Sequence, residues 1–330
     1  MTQRTIRQVG HATDTGKKRR RNEDDYVVEP PLFAVADGMG GAQAGELASS
    51  LAAGALRDDQ QESGSGERRV VELIQEANRR VYQRSAEDAA VSGMGTTMTV
   101  ALVEDGSVIF GHVGDSRAYL IRDSKLEQLT EDHSLVAELV RSGQLSPEEA
   151  VIHPQRSVIT RALGSDPDVD VDTFSIPAQE GDVFMICSDG LTSMVDDDLI
   201  LETVEKNHSD LRRAAKALIG AANKRGGEDN ITVVFFEIGE DHGEPLEKTA
   251  TYPQLEDDVN GQTDEDTLDE LDRVPAVDTM IVPPGQGATL GASADGKAEG
   301  RTRRRVVPAL LLVLIALAVV AIVLWTIRGR

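Results

Sequence analysis

Four aspartates of this 330-residue chain each stand at one end of an apolar run that is typical of a β-strand. They are Asp37, Asp115, Asp189 and Asp229. An aspartate at a strand end is commonly a turn residue, so each one alone indicates little chemistry. Four in the same setting, together with the segment Asn22-Glu23-Asp24, indicate a shared acidic site.

Carboxylates that meet at one edge of packed sheets would share a small volume. Like charges that close together cannot all stay ionised without a cation. Ligands that are all oxygen favour Mg²⁺ or Mn²⁺, and no paired cysteine or histidine occurs at zinc spacing. The pattern therefore predicts a site where two divalent ions hold a bridging hydroxide and clamp a phosphate.

The elements that must position these aspartates show both strand and helix patterns. Strand patterns occur at residues 26–28, 32–36, 96–103, 108–113, 118–122, 183–187 and 231–238. Helix patterns occur at residues 44–56, 68–86, 135–142, 196–206 and 210–224. Because three neighbouring strands form a meander and no repeated βαβ unit appears, the sequence predicts an α+β sandwich. Its antiparallel sheets would face each other, with helices outside and a cleft at the sheet edge.

Residues 133–165, which we call the flap, interrupt this regular pattern. A short helix is followed by a polar excursion that contains Pro147 and Pro154. Long irregular segments in compact domains are commonly functional lids. We expect substrate contacts to come from the flap.

Six short motifs rich in glycine and aspartate follow one another along the chain. They are Arg19-x-x-Asn22-Glu23-Asp24, Ala36-Asp37-Gly38-Met39-Gly40-Gly41, Gly93-Met94-Gly95-Thr96-Thr97, Gly114-Asp115-Ser116-Arg117, Cys187-Ser188-Asp189-Gly190 and Gly227-Glu228-Asp229-Asn230-Ile231-Thr232. Their order and spacing resemble the signature motifs of the PPM (type 2C) metal-dependent serine/threonine protein phosphatases of bacteria. The resemblance implies a four-layer α/β/β/α sandwich with a dinuclear Mn²⁺ or Mg²⁺ centre at one edge.

The resemblance also implies how the two ions would be held. Asp37 would bridge both ions, and the backbone carbonyl of Gly38 would complete the shell of one of them. Asp189 and Asp229 would hold the other ion. A hydroxide that bridges the ions would then attack the phosphorus of phosphoserine or phosphothreonine, so that no protein nucleophile is needed.

Four further residues match supporting positions of the family pattern. Glu23 and Asp24 would act largely through metal-bound waters, and Asp115 would contribute to a third, weaker metal site. Arg19 would bind the phosphate, because its planar fork can hold two phosphate oxygens. The alternative for Arg19 is an exposed basic run shared with Lys17, Lys18, Arg20 and Arg21.

One departure from the family pattern concerns the protonation of the leaving oxygen. Many eukaryotic members have a histidine at the position of Met39, and methionine cannot donate a proton. The task would fall to metal-bound water or to another residue. His153 in the flap is available, although we expect a surface histidine without a catalytic role.

Two rival functions are weighed against hydrolysis by a metal centre. Cys187 suggests a cysteine phosphatase, but the C-x₅-R loop of those enzymes requires arginine where this chain has Ser193. A membrane-anchored pseudophosphatase or scaffold would keep the fold and recruit partners. Such a protein is expected to have lost a metal aspartate, and none is missing here.

Composition divides the chain into four parts. We predict a PPM-type phosphatase domain at 1–240, an acidic disordered linker with a basic end at 241–305, a transmembrane helix at 306–327 and a short non-cytoplasmic tail at 328–330. Residues 306–327 contain no charged side chain, and at ~1.5 Å per residue they span about 33 Å, close to the hydrocarbon thickness. Four arginines within 301–305 precede this run and only two follow it, so the N-terminal side is expected in the cytoplasm.

Charge and cysteine usage limit the partners. A formal net charge of −23 argues against nucleic acid, because binding phosphate backbones needs clustered Lys and Arg. A single cysteine permits no internal disulfide and fits a reducing compartment. The expected partners are phosphorylated Ser/Thr proteins, a bacterial Ser/Thr kinase whose action the chain opposes, and the cell membrane. Thr249, Thr251 and Thr279 in the linker are hypothetical kinase sites.

Overall fold

Two antiparallel sheets pack face to face in the computed structural model, which describes residues 4–40, 44–58, 65–240 and 280–281. The strands are β1 (Arg4–Asp14), β2 (Asp24–Glu29), β3 (Leu32–Met39), β4 (Gly95–Thr96), β5 (Met98–Glu104), β6 (Ser107–Val113), β7 (Arg117–Arg122), β8 (Lys125–Gln128), β9 (Val158–Ile159), β10 (Asp172–Pro177), β11 (Val183–Cys187), β12 (Ile231–Glu240) and β13 (Met280–Ile281). The helices are α1 (Ala44–Arg57), α2 (Gly66–Glu87), α3 (Leu135–Arg141), α4 (Pro147–Val151), α5 (Asp189–Thr192), α6 (Asp197–Lys206) and α7 (Leu211–Lys224). All of these elements fall within one compact unit, residues 1–287; the second unit, 288–330, lies outside the described residues.

Strand order explains why the aspartates meet. The first sheet has the order β1-β12-β11-β7-β8, and the second has the order β10-β6-β5-β3-β2, with β4 paired to β3. Pairing within both sheets is antiparallel. β3 and β11 are therefore interior strands of different sheets, and β12 neighbours β11. The chain ends of these strands can meet at one edge of the sandwich.

The core consists of three apolar layers, one between the two sheets and one between each sheet and its helices. Phe33 of the second sheet stacks on Phe236 of the first at a ring-centroid distance of 4.3 Å, and Phe184 stacks on Phe236 at 5.2 Å. α1 and α2 bury Ala48, Val70 and other apolar side chains on the outer face of the second sheet. α6 and α7 do the same on the first sheet. The predicted α/β/β/α sandwich is thus the observed architecture of the described domain.

The sequence pattern missed five strands: β9 and β13, which form a separate two-stranded sheet, and three edge strands of the two large sheets. β1, β8 and β10 were not predicted, and each is the outermost strand of its sheet. An edge strand has one neighbour and one less buried side, so it needs fewer large apolar residues. β1, for example, has only Ile6 and Val9 as large aliphatic residues, yet it pairs with β12 from Arg4 opposite Glu240 to Asp14 opposite Ile231.

The flap contains more regular structure than its sequence indicates. α3 begins at the predicted position, where Ser134 Oγ accepts a hydrogen bond from Ala137 N at 3.3 Å. α4 follows with a capping box between Ser146 and Glu149, whose two hydrogen bonds measure 2.9 and 3.2 Å. β9 then leads the chain back toward the sheets.

The predicted membrane anchor is outside the part of the chain that the structure describes. Among the helices of the described ranges, none combines the length and the apolar character needed to cross a bilayer. Residues 306–327 are not among those ranges, nor is the linker except for Met280 and Ile281. The domain boundaries at 240, 305 and 327 therefore stay predictions.

Candidate active site

Asp37 lies near the end of β3, where two threonines hold its peptide groups. Its N–H donates to Thr97 Oγ1 at 3.0 Å, and its carbonyl accepts from Thr97 N and Thr96 Oγ1, both at 2.9 Å. Thr97 Oγ1 also shares a 2.7 Å hydrogen bond with Ser116 Oγ, next to Asp115. The Gly93–Thr97 motif therefore positions the backbone of Asp37 and links it to the Asp115 turn.

Gly38 must be glycine because two neighbouring backbones close around its Cα. A Cβ at this position would lie 2.1 Å from the carbonyl oxygen of Gly45 and 2.5 Å from that of Glu23. Gly38 N donates to this same Glu23 carbonyl at 3.0 Å. A Cβ on Gly45 would lie 2.9 Å from Glu23 Oε2. Glu23 is thereby held against the turn that follows Asp37.

Asn230 fastens the segment that contains Arg19 and Glu23 to the first sheet. Its Oδ1 accepts from Glu23 N at 2.8 Å. Its Nδ2 donates to the carbonyls of Thr15 at 2.9 Å and Arg21 at 2.8 Å. One amide side chain thus uses both of its ends to fix the loop before β2, and it stands directly after Asp229.

Asp24 is held by hydroxyl groups rather than by a cationic side chain. Its Oδ2 accepts a hydrogen bond from Ser188 Oγ at 2.9 Å, and the hydroxyl of Thr232 lies close by. Its Oδ1 is buried and has no hydrogen-bond partner within the described structure. Burial, with a smaller contribution from the negative charges of Asp229 and Asp189, raises the pKa of Asp24 to about 7 against the lowering effect of the hydroxyls.

Asp189 and Asp229 face each other across neighbouring segments. Asp189 is the first residue of α5, separated from the end of β11 by one residue, and its carboxyl lies beside that of Asp37. Burial raises the pKa of Asp189 to about 6, and the charge of Asp229 acts in the same direction. A Cβ on Gly190 would lie 2.0 Å from the carbonyl oxygen of Asn230, so glycine is needed for this close approach.

Arg19 points toward the aspartates, unlike its basic neighbours. Its Nη2 donates to Asp229 Oδ2 at 2.9 Å, and Asp37 and Glu23 also stabilise its charge. The side chain of Arg19 is 19% exposed. Arg20 is exposed, and Arg21 forms a 3.3 Å ion pair with Glu46 at the surface. Of the basic run, the structure therefore brings Arg19 to the site.

Asp115 occupies the turn between β6 and β7, on the side of the flap. A Cβ on Gly114 would lie 2.6 Å from the Thr97 side chain, and Gly114 N donates to His133 Nδ1 at 3.0 Å. Arg117 makes a two-pronged ion pair with Asp132, at 2.8 and 2.7 Å. These contacts fix the turn on both sides.

The charges at this site fit a divalent cation. The pKa of Asp37 lies well above its usual range because its carboxyl is buried and surrounded by the negative charges of Asp24, Asp189, Asp229 and Asp115. Burial likewise raises the pKa of Asp115, and Asp189 and Asp132 add to that shift. Every group available here to bind a cation is an oxygen, and Asp24 Oδ1 has no hydrogen-bond partner within the described structure. Such a set suits Mn²⁺ or Mg²⁺.

The carboxylates do not form a closed cage around one point. Among the described residues, no group of three or more His, Cys, Asp or Glu side chains is arranged as a ready metal shell. The predicted set of Asp37, Asp189 and Asp229 is therefore not a ready shell, and the assignment of these residues to two ions stays a prediction. Asp37 and Gly38 would hold one ion, and Asp37 with Asp189 and Asp229 the other.

A cavity of about 650 Å³ opens between the aspartates and the flap. Asp115 and Asp189 line it from the site, while Arg117, Arg156 and Ser157 contribute polar groups. α3 and α4 contribute apolar walls through Val136, Ala137, Val140, Ala150 and Val151. The cavity is large enough to receive part of a peptide beside the site.

The structure also shows where Met39, His153 and Cys187 lie. Met39 is buried and packs with Ile159 and Ala162, so it supports the loop. His153 Nδ1 accepts a hydrogen bond from Gln155 N at 3.2 Å, and His153 is not among the residues that line the cavity. Cys187 is a buried free thiol whose pKa burial raises to about 12, so it is no thiolate nucleophile near neutral pH.

Sequence reasoning missed the residues that hold the aspartates in place. Thr97, Ser188 and Asn230 had no role assigned to them, although all three lie inside the six motifs. For Ser188 and Asn230, the position directly beside an aspartate was the available signal, and for Thr97 it was the place at the end of the Gly93–Thr97 motif. Their hydrogen bonds join segments far apart in the chain, which no local pattern shows.

Comparisons with known proteins agree with this geometry. The protein phosphatase 2C family model matches residues 17–230. Serine/threonine phosphatase stp of Listeria monocytogenes is 42% identical over 236 residues, which cover 68% of this chain and 93% of that protein. Serine/threonine protein phosphatase PstP of Mycobacterium tuberculosis is 38% identical over 259 residues, which cover 78% of this chain and 49% of that protein.

Solved structures show the same similarity. The crystal structure of the Mycobacterium tuberculosis phosphatase PstP/Ppp superposes with a TM-score of 0.67 at 37% identity, covering 71% of this chain and 99% of that one. The catalytic domain of PstP in complex with two manganese ions superposes with a TM-score of 0.65 at 35% identity, covering 71% and 99%. The sandwich and a two-manganese centre thus occur together in a similar protein.

Replacing either Asp37 or Asp229 with asparagine tests the metal assignment. We expect Asp37→Asn and Asp229→Asn to reduce hydrolysis more than about a hundredfold, because even outer-shell partners of metal sites are worth roughly 10- to 100-fold. The affinity for Mn²⁺, measured by calorimetry, should fall in both variants. The unfolding midpoint in chelator should equal or exceed that of the parent chain, since a repelling charge is removed.

The matched control is Asp168→Asn, which removes one exposed carboxylate outside the site. It should retain Mn²⁺ binding and activity. Full activity in either site variant would contradict the metal assignment.

Proposed function

Because the chain belongs to the protein phosphatase 2C family, we propose that it hydrolyses phosphoserine and phosphothreonine in proteins. The buried cluster around Asp37 carries this proposal. Asp24, Asp37, Asp115 and Asp189 have a raised pKa there because they are buried among neighbouring carboxylates, and Arg19 lies beside them. A cation and a phosphate would together satisfy all of these groups.

The residues of the chain have distinct tasks in the reaction. When bound, Mn²⁺ or Mg²⁺ would supply a hydroxide near neutral pH and neutralise charge on the phosphate. Asp37, Gly38, Asp189 and Asp229 would hold the ions. Asp24 would accept hydrogen bonds from bound water through its unpartnered Oδ1, while Ser188 holds its Oδ2. Glu23 would act similarly from beside Gly38.

Arg19 would orient the phosphate. Its guanidinium already pairs with one aspartate of the site and is partly exposed, so it can turn its planar fork to a phosphate without leaving the cleft. Its charge would stabilise the oxygens as negative charge redistributes in the transition state. Met39 donates no proton, because a thioether has no acidic hydrogen; its side chain packs with Ile159 and Ala162.

The alternative function is a pseudophosphatase that recruits partners without hydrolysis. The presence of all the aspartates in one acidic cluster favours the enzyme. A phosphothreonine peptide incubated with the full chain in detergent and Mn²⁺ should release phosphate, and chelator should abolish the release. Readdition of Mn²⁺ should restore it. Absence of turnover together with absence of Mn²⁺ binding by calorimetry would favour the scaffold.

Substitution of Arg19 distinguishes phosphate binding from a general surface charge. A hydrogen bond that involves a charged group contributes about 1.5–3 kcal/mol, so Arg19→Ala should lower kcat/KM roughly 10- to 150-fold. Arg20→Ala removes the same charge from an exposed neighbour and should change kcat/KM less than about twofold, since surface substitutions rarely matter. Equal losses in both variants would contradict the role of Arg19.

We also propose that the enzyme is tethered to the cell membrane with its catalytic domain in the cytoplasm. The support is the uncharged run 306–327 and the excess of arginine before it. The full chain should sediment with membranes and resist extraction at high salt, because insertion is not electrostatic. A chain that stops after Arg305 should become soluble. Release of the full chain by salt alone would contradict the anchor.

We further propose that the phosphatase has a Ser/Thr kinase as its partner. A phosphatase held at the membrane would oppose a membrane-associated Ser/Thr kinase in a bacterium, and linker residues Thr249, Thr251 and Thr279 would be accessible to that kinase. Similarity to phosphatases from Listeria and Mycobacterium supports the bacterial setting.

A further inference from the structure

A short strand from the linker pairs with the flap. β13 runs parallel to β9, with Met280 opposite Val158 and Ile281 opposite Ile159. Both strands fall within the same compact unit, residues 1–287. The catalytic domain is therefore in contact with a segment that lies about 40 residues after the end of β12.

One edge of β9 contacts the start of α3, and the other edge pairs with β13. On one edge, Thr160 N donates to His133 O at 2.9 Å, and Ile159 bridges to Ser134 at the start of α3. Val158 N donates to Gln155 O at 3.2 Å. Because successive amides of a strand point in opposite directions, the amide of Ile159 faces the other edge, where β13 lies.

β9 touches both the cavity wall and the catalytic loop. Arg156 and Ser157, which directly precede β9, line the cavity that also contains Asp115 and Asp189. The side chain of Ile159 packs with Met39, two residues after Asp37. A peptide that pairs with β9 would thus lie alongside the route from the flap to the aspartates.

We propose that the Ile159 edge of β9 docks extended peptides, and that Met280–Ile281 of this chain occupies this edge as an internal competitor of the substrate. The inference rests on the proposed phosphatase function. Extended peptides commonly bind by adding a strand to a free edge. Met280-Ile281-Val282 is an apolar run in an acidic segment, and Pro283 and Pro284, which lack an N–H, would end the pairing.

Tethering makes such a weak contact effective. Two paired residues bind poorly on their own, but a flexible tether can hold a segment at a local concentration on the order of a millimolar. A docked fraction of about 80% would raise the apparent KM for a competing peptide about fivefold. A substrate too small to reach β9 would be unaffected.

Two adjacent prolines in β13 test the pairing. In Met280→Pro/Ile281→Pro, strand alternation ensures that one of the two lost amides faced β9. The variant and the parent are compared as full chains in detergent. The matched control, Thr289→Pro/Leu290→Pro, places the same two prolines elsewhere in the linker. Amide hydrogen exchange at Ile159 should accelerate in the first variant and equal the parent in the control.

Kinetics test the competition. KM for a phosphothreonine peptide should fall about fivefold in the β13 variant, while KM for para-nitrophenyl phosphate stays at the parent value. A synthetic peptide of residues 274–285, added to the β13 variant, should raise the KM for the phosphothreonine peptide again. The control variant should match the parent with both substrates.

Each measurement has an outcome that overturns the inference. Unchanged exchange at Ile159 in the β13 variant would show that the segment does not dock. An unchanged peptide KM would show that docking does not compete with substrate. If the parent chain hydrolysed neither substrate, the phosphatase function would be refuted. Amide hydrogen exchange at Ile159 would still show whether the segment docks.

Discussion

Mutual repulsion among buried aspartates is the constraint on which the rest of this structure depends. Asp24, Asp37, Asp115 and Asp189 each have a raised pKa, and in each case burial is the largest cause and neighbouring carboxylates add to it. A fold would ordinarily separate such groups. Here they are kept together by two sheets, and the energetic cost is offset when divalent cations enter the site.

The groups that hold the aspartates are mostly neutral. Thr97 binds the backbone of Asp37, Ser188 binds one oxygen of Asp24, and Asn230 fixes the loop that carries Glu23. A cationic side chain in these places would satisfy the carboxylates and compete with metal. Glycines at 38, 45 and 190 let the backbones approach closely. The site is therefore rigid in its backbone and unsatisfied in its charge, which is what a metal centre requires.

The flap packs against the loop that carries Asp37. Ile159 packs against Met39, and its strand borders both the cavity and the linker segment at Met280–Ile281. Met39, which stands where many eukaryotic members of the family have a histidine, serves as a packing surface between the flap and the metal loop. Through Ile159, β9 is in contact with a residue two positions from Asp37.

The sequence by itself determined the chemistry of this protein and most of its interior. Aspartates at strand ends, glycines at fixed places and six ordered motifs identified the acidic site, and apolar runs located the central strands because buried strands must be apolar on both faces. Tertiary structure decided between the two interpretations of Arg19, and it alone revealed the edge strands β1, β8 and β10, the anchoring role of Asn230 and the pairing of β13 with β9. These features depend on contacts between distant segments, such as Asn230 with Glu23. Local periodicity reports which side of an element is buried, but it does not report which partner buries it.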